Sequence, residues 1–171
     1  MAANRIQFQP GMSLPQFMEL YGTEEKCEAA LEQARWPEGF ICPRCGEKEH
    51  GLVYGRRLKR YQCRHCRHQT TLTAGTIMEA TKLPLTTWFL AFYLIGQAKT
   101  GISSLALMRQ LGVNYRTAWL VHNKIMQAMC EREEAYLLRG KVQIDDAYLG
   151  GERNGGKAGR GSENKVPIVA A

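Results

Sequence analysis

The sequence predicts an α+β chain in several parts: a small β zinc ribbon, a helical region with helix-turn-helix grammar, and a strand-bearing end. Three observations carry this. Two C-x-x-C pairs, Cys42-Pro-Arg-Cys45 and Cys63-Arg-His-Cys66, lie seventeen residues apart. Residues 81–130 hold five basic side chains and no acidic one, over apolar positions of helical period. After Gly140 the apolar residues alternate, at Val142 and Ile144, and the run ends in Asp145-Asp146. The expected parts are a helical segment over 1–39, the ribbon over 40–75, the helical DNA-binding region over 76–130, a linker over 131–140 and the strand-bearing end over 141–171.

Thr23-Glu24-Glu25 reads as a helix start, with a capping hydroxyl and two acids against the positive end of the dipole. Cys27, Ala30, Leu31 and Ala34 form its apolar stripe, and Pro37 and Gly39 stop it after Arg35. Cys27 is expected in the core, and so is Cys130 further on. Leu52-Val53-Tyr54, Tyr61-Gln62 and Thr70 to Thr73 are β-type runs, separated by Gly55 and the basic stretch Arg56 to Arg60. Residues 84–98 read as a helix: Pro84 suits the first turn, and Leu85, Trp88, Phe89, Phe92 and Ile95 make a broad apolar face.

Ser103 then caps a helix that lasts to the region of Gln110, Gly112 makes the break, and Asn114 caps a second helix through Met129. Small Ala106 permits close approach, Val113 packs inward, and Ala118 and Trp119 are expected on the inner face. Tyr115, Arg116, Thr117, His122, Asn123 and Lys124 would offer polar groups to bases and phosphates. A plain helical hairpin is the rival reading; the absence of acid favours a phosphate-facing surface.

The charge is uneven. Residues 1–41 carry three basic and six acidic groups, and residues 42–80 carry eight and three. Over the whole chain the net charge is +7, which points to a polyanionic partner only because it concentrates in the middle. Met1 to Gln9 lacks the apolar stretch of a signal peptide, and the run Trp88 to Ile95 is too short for a bilayer. A cytoplasmic protein with no membrane partner is expected.

Zinc prefers four soft ligands in a tetrahedron, and two short turns joined by a hairpin supply them. Cys42, Cys45, Cys63 and Cys66 are therefore the expected ligands of a structural Zn²⁺. A thioredoxin-like redox pair would need a C-x-x-C opening a helix after a strand, and both pairs here sit among β-type runs. His65 and His68 are spare imidazoles beside a shell that four thiolates already close. Arg56, Arg57, Lys59 and Arg60 would project from the hairpin, either towards phosphates or as a solvated loop. The spacing Gly151 to Gly156-Lys157 imitates a phosphate-binding loop, but Ala158 replaces the Ser or Thr that would hold Mg²⁺, and no helix start follows.

The order of these parts resembles the bacterial zinc-ribbon insertion-sequence transposases, whose catalytic domain is RNase H-like with an acidic triad. The matching stretches are Arg35-Trp36-Pro37-Glu38-Gly39 before Cys42, Tyr61-Gln62-Cys63, Ile144-Asp145-Asp146-Ala147-Tyr148-Leu149-Gly150-Gly151, and Gly159-Arg160-Gly161 to Lys165-Val166-Pro167. The resemblance implies that Asp145 is a catalytic metal ligand, although members more often carry Glu where this chain has Asp146. It implies terminal inverted repeats of duplex DNA as partner, a nucleoid-associated location, and a possible homo-oligomer. The family's other catalytic residues lie further downstream. The chain is thus expected to be truncated within the catalytic domain and inactive alone, with Mg²⁺ needed only by a full-length relative. The rival readings are a non-catalytic zinc-ribbon and helix-turn-helix regulator, which the Asp145 to Gly151 stretch opposes, and a zinc-ribbon protein adaptor, which salt-dependent duplex binding would exclude.

Overall fold

A computed structural model describes residues 11–54, 59–98 and 100–134, and the backbone of two further strands, 145–149 and 166–170. The chain divides into two compact units, Met1–Cys130 and Glu131–Ala171. Val142, Ile144, the loop residues 150–161 with their phosphate-loop spacing, and the hairpin residues Arg56 and Arg57 lie outside the described residues.

In the first unit, α1 (Leu14–Tyr21) opens on a reciprocal capping box. The Ser13 hydroxyl accepts from the Gln16 N–H, and the Gln16 side chain accepts from the Ser13 N–H at 3.0 Å. This helix is more specific than the helical segment expected over 1–39, and its Ser-x-x-Gln signature was there to read. The next helix, α2 (Glu24–Arg35), starts and stops where the cap and the apolar stripe place it, with the Thr23 hydroxyl accepting from the Lys26 N–H. Strands β1 (His50–Tyr54), β2 (Lys59–Cys63) and β3 (Gln69–Thr71) form an antiparallel sheet in the order β1-β2-β3, with Leu52 opposite Tyr61 and Tyr61 opposite Thr70.

Three helices complete the unit: α3 (Leu85–Gln97), α4 (Ser104–Leu111) and α5 (Tyr115–Glu134). Pro84 sits at the N-cap of α3 and has no side chain to cap with, so Glu24 supplies the acceptor from α2. One Glu24 oxygen accepts from the Leu85 N–H at 2.7 Å and the other from the Thr86 N–H at 3.1 Å. Helix α5 runs through residues 131–134, so the front of the expected linker is helical.

Two apolar clusters hold the unit. One joins Cys27 of α2, Met78, and Leu85, Trp88, Ala91 and Ile95 of α3 to Leu107 of α4 and Val121 and Ile125 of α5. The other joins Trp36, Phe40, Tyr61 and Leu72 to the ligand candidates Cys42 and Cys63. Leu31 packs against both, so α2 is a shared wall. Two polar links add to it: Glu28 pairs with Lys59 at 2.8 Å, and the Arg35 guanidinium donates to the Leu72 carbonyl at 2.8 Å.

Two expected core residues are outside. Trp119 is half exposed, because the buried line of α5 is Ala118, Val121 and Ile125, and residue 119 lies about 100° round the helix from 118. Cys130 is exposed, because Ile125 is the last buried residue of α5 and the helix continues past the core. Cys27 is fully buried as expected, and burial, with Glu24 nearby, pushes its thiol up to about 11.

The second unit contributes β4 (Asp145–Leu149) and β5 (Val166–Ala170), an antiparallel pair with Asp145 opposite Ala170 and Asp146 opposite Val169. No helix among the described residues is long and apolar enough to cross a membrane.

Candidate metal centre and nucleic-acid interface

The two C-x-x-C pairs fold into two copies of one turn. In the first, the Gly46 N–H donates to the Cys42 carbonyl at 2.9 Å, and the Cys42 N–H donates to the Glu47 carbonyl at 2.9 Å. In the second, the Arg67 N–H donates to the Cys63 carbonyl at 3.1 Å, and the Cys63 N–H donates to the His68 carbonyl at 3.0 Å. Each turn needs a left-handed residue directly after its second cysteine. Gly46 meets this at φ 76°, and Arg67 meets it at φ 57°. A side chain in that region works against its own carbonyl, so the second turn is held by its surroundings.

These turns bring all four Sγ atoms within 4.8 Å of one another. Cys42 and Cys66 approach to 3.6 Å, Cys45 and Cys63 to 3.6 Å, and Cys45 and Cys66 to 3.4 Å. A zinc ion with four bonds of about 2.3 Å has tetrahedron edges of about 3.8 Å. The sulfur cage thus matches the size of a zinc tetrahedron. It is the only such His, Cys, Asp or Glu cluster among the described residues, and neither His65 nor His68 belongs to it.

The thiols also compete for ionisation. Burial pushes Cys42 up, but the Arg44 and Cys45 N–H groups and the neighbouring thiols outweigh it and bring it down to about 7. The Glu47 N–H favours ionised Cys45, but the thiols of Cys66, Cys63 and Cys42, together with burial, push it to about 12. One thiol ionises early and its neighbour late, and a cation is what stabilises four thiolates at this spacing. Beneath the cage, Trp36 meets Phe40 at 4.9 Å and Tyr61 at 4.7 Å edge-on, and the Arg35 guanidinium lies 5.1 Å from the Trp36 ring centre.

The second region is the α4–α5 pair. The Ser103 hydroxyl accepts from the Ala106 N–H at 3.1 Å, and Gly112 closes α4 in the left-handed conformation at φ 65°. The Asn114 side chain accepts from the Thr117 N–H at 2.8 Å and opens α5. Ser104 and the His122 ring bond at 3.0 Å and tie the two helices together. The grammar expected around Gly112 is therefore realised in its caps, its break and its buried Leu107 and Ala118.

The structure separates the sequence-predicted contact residues. Tyr115 and Arg116 are exposed on the first turn of α5, with Thr117 half-buried beside them. Asn123 is exposed two turns on, its amide donating to the Trp119 carbonyl at 2.8 Å. Lys124 is half-buried, and its ammonium donates to the Ile77 carbonyl at 3.0 Å. Lys59 is held by Glu28, whose carboxylate raises its pKa, while Arg60 is exposed. Sequence reasoning missed the Glu24 cap and the Lys124 clamp, and no local pattern announces either, since their partners lie 61 and 47 residues away.

Residues 22–69 match the family described as the transposase zinc-ribbon domain. The match takes in α2, both cysteine turns, β1 and β2. Over 167 residues the chain is also 28% identical to an uncharacterized protein in transposable element ISH50 of Halobacterium salinarum, covering 88% of this chain and 55% of that protein. The chain thus spans about half the length of the relative it matches. No solved structure matches it. Together the ribbon match and the relative support a transposase-related role for a chain of mixed helices and small antiparallel sheet.

Proposed function

We propose that this chain is the DNA-binding portion of a transposase, that Cys42, Cys45, Cys63 and Cys66 hold one structural Zn²⁺, and that the protein binds duplex DNA at the terminal inverted repeats of its element. The observation that carries the reading is the four-thiol cage inside the segment that matches the transposase ribbon. A closed four-thiolate shell leaves no position for substrate, so the metal organises the fold and performs no chemistry.

Duplex binding is assigned to α5, led by Tyr115, Arg116 and Thr117, with Asn123 behind them and Arg60 from the ribbon as an added phosphate contact. Support comes from the exposed first turn of α5 and from the acid-free stretch 81–130. Arg56 and Arg57 join the phosphate-contacting set on charge alone. Asp145 is assigned to strand cleavage in a full-length protein. There Mg²⁺ would need further carboxylates to converge on it.

Metal analysis of the gently purified chain is expected to give one zinc per molecule. A folded protein with four free thiols and no metal overturns the ribbon assignment. Titration against inverted-repeat duplexes at rising salt is expected to show a steep loss of affinity; no binding at low salt overturns the DNA assignment.

A further inference from the structure

The exposed face of α5 is not uniformly polar. Arg116, Trp119, Leu120 and Asn123 fall at i, i+3, i+4 and i+7, which places them in one strip opposite the buried line Ala118, Val121 and Ile125. Within that strip Trp119 is 50% exposed and Leu120 is 51% exposed. The Asn123 amide bonds to the Trp119 carbonyl at 2.8 Å and lies against the same turn. Arg116 stands one turn before Trp119 and is exposed. The strip is therefore an apolar pair between two polar side chains, on a helix with no acid before Glu131.

A protein partner would bury Trp119 and Leu120 against apolar surface and would meet Arg116 with an acid. A DNA groove offers another fit. The major groove is about 12 Å wide and admits a helix, and its most prominent apolar feature is the thymine C5 methyl group. The lack of acid over residues 81–130 favours the groove, because a helix that enters it passes between two rows of phosphates.

We propose that Trp119 and Leu120 read thymine methyl groups in the major groove, so that site preference rests on apolar contact flanked by the polar contacts of Arg116 and Asn123. This rests on the assignment of α5 as the DNA-binding helix and adds which base feature it selects. Polar contacts at Arg116 hold the helix against the backbone and carry little sequence information. The apolar pair gains only where a methyl replaces water.

The test uses the 171-residue chain and duplexes it selects from a random 20-base-pair pool. Each thymine in the selected duplex is replaced in turn by deoxyuracil, which removes the methyl and keeps the hydrogen-bonding edge. At one or two positions the affinity of the parent protein is expected to fall about fourfold, the size of one lost methyl contact. Trp119→Ala and Leu120→Ala, both at exposed positions, are expected to bind the thymine and uracil duplexes equally. Equal affinity of the parent protein for both duplexes at every position overturns methyl reading, while DNA binding itself stands. Retention of duplexes with no preferred sequence also overturns methyl reading, and failure to retain any duplex at low salt overturns the DNA assignment beneath it. Conversion of a dimer to a monomer by Trp119→Ala, with duplex affinity unchanged, reassigns the strip to contact between copies of the chain.

Discussion

The two cysteine turns are the same structure built with different residues, and that difference has a measurable size. Gly46 adopts its left-handed φ of 76° without a side chain to strain, whereas Arg67 adopts φ 57° with one. Gly46→Ala is expected to cost about 1–2 kcal/mol, and Arg67→Gly to return a similar amount, since an L-residue in the left-handed region loses about that much. Thermal unfolding of the metal-loaded chain reads both, and an unchanged midpoint for both would mean that the metal alone fixes the turns. Two of the cations of α5, Arg116 and Lys124, differ as sharply. Arg116 is exposed, while Lys124 donates to the Ile77 carbonyl. Arg116→Ala is expected to weaken duplex binding and lower the salt slope by about 1. Lys124→Met is expected to leave affinity within about twofold and to cost about 1 kcal/mol of stability. If Lys124→Met weakens binding as much as Arg116→Ala does, the clamp releases on DNA and the lysine is a contact.

At the scale of elements, what the sequence made legible was local. Thr23, Ser103 and Asn114 cap the helices they precede, Gly112 turns between two of them, and the C-x-x-C spacing announces the cage. Each cap and turn signal acts within a few residues of itself, and the cage needs only that two such cysteine turns meet. Trp119 was misplaced because periodicity gives the angle between side chains and not the width of the face that neighbours cover. Cys130 was misplaced because nothing in the chain marks where α5 outruns its core. The role of α2 was also hidden, since it depends on two clusters meeting at Leu31. That shared wall makes the ribbon and the helices interdependent. Chelating the metal is expected to release amide protection first in β1, β2 and β3, then in the C-terminal half of α2, where Glu28 and Arg35 lose their partners Lys59 and Leu72. Helices α3 to α5, packed on each other through Trp88, Leu107 and Val121, are expected to hold. Lower pH works in the same direction, because protons compete with the metal for thiolates. Equal loss of protection throughout would show a single cooperative unit. Glu24→Gln probes the same wall from its other end. Glu24 caps α3 across the α2–α3 contact, so the loss of its charge is expected to cost about 1 kcal/mol with no change in metal content.

For the whole molecule, charge and chemistry separate along the chain. Residues 42–130 carry thirteen basic groups, eight before residue 81 and five after, against three acidic ones, while 131–171 is balanced at seven of each. Duplex affinity is therefore expected to fall steeply with salt, and Mg²⁺ is expected to act on it only as a competing counterion, not as a required ligand. Strand cleavage has other needs. Mg²⁺ demands near-octahedral oxygen ligands and gives up its waters reluctantly, so a site competent for phosphoryl chemistry needs several convergent carboxylates. The described strands β4 and β5 contribute two, Asp145 and Asp146, on a single pair whose register sets them opposite Ala170 and Val169. Among the described residues of this unit these two strands pair only with each other, and an isolated two-stranded pair is marginal in water. The 171-residue chain is thus expected to bind a plasmid carrying the inverted repeats and leave it unnicked in Mg²⁺. Nicking that Asp145→Asn abolishes would show that this chain supplies a complete site. In a longer protein with further carboxylates, Asp145→Asn is expected to abolish cleavage and leave duplex affinity nearly intact, and Asp146→Asn to be milder. Cleavage at the parent rate by Asp145→Asn in that protein would remove Asp145 from the chemistry and leave the acidic pair as an ordinary strand end.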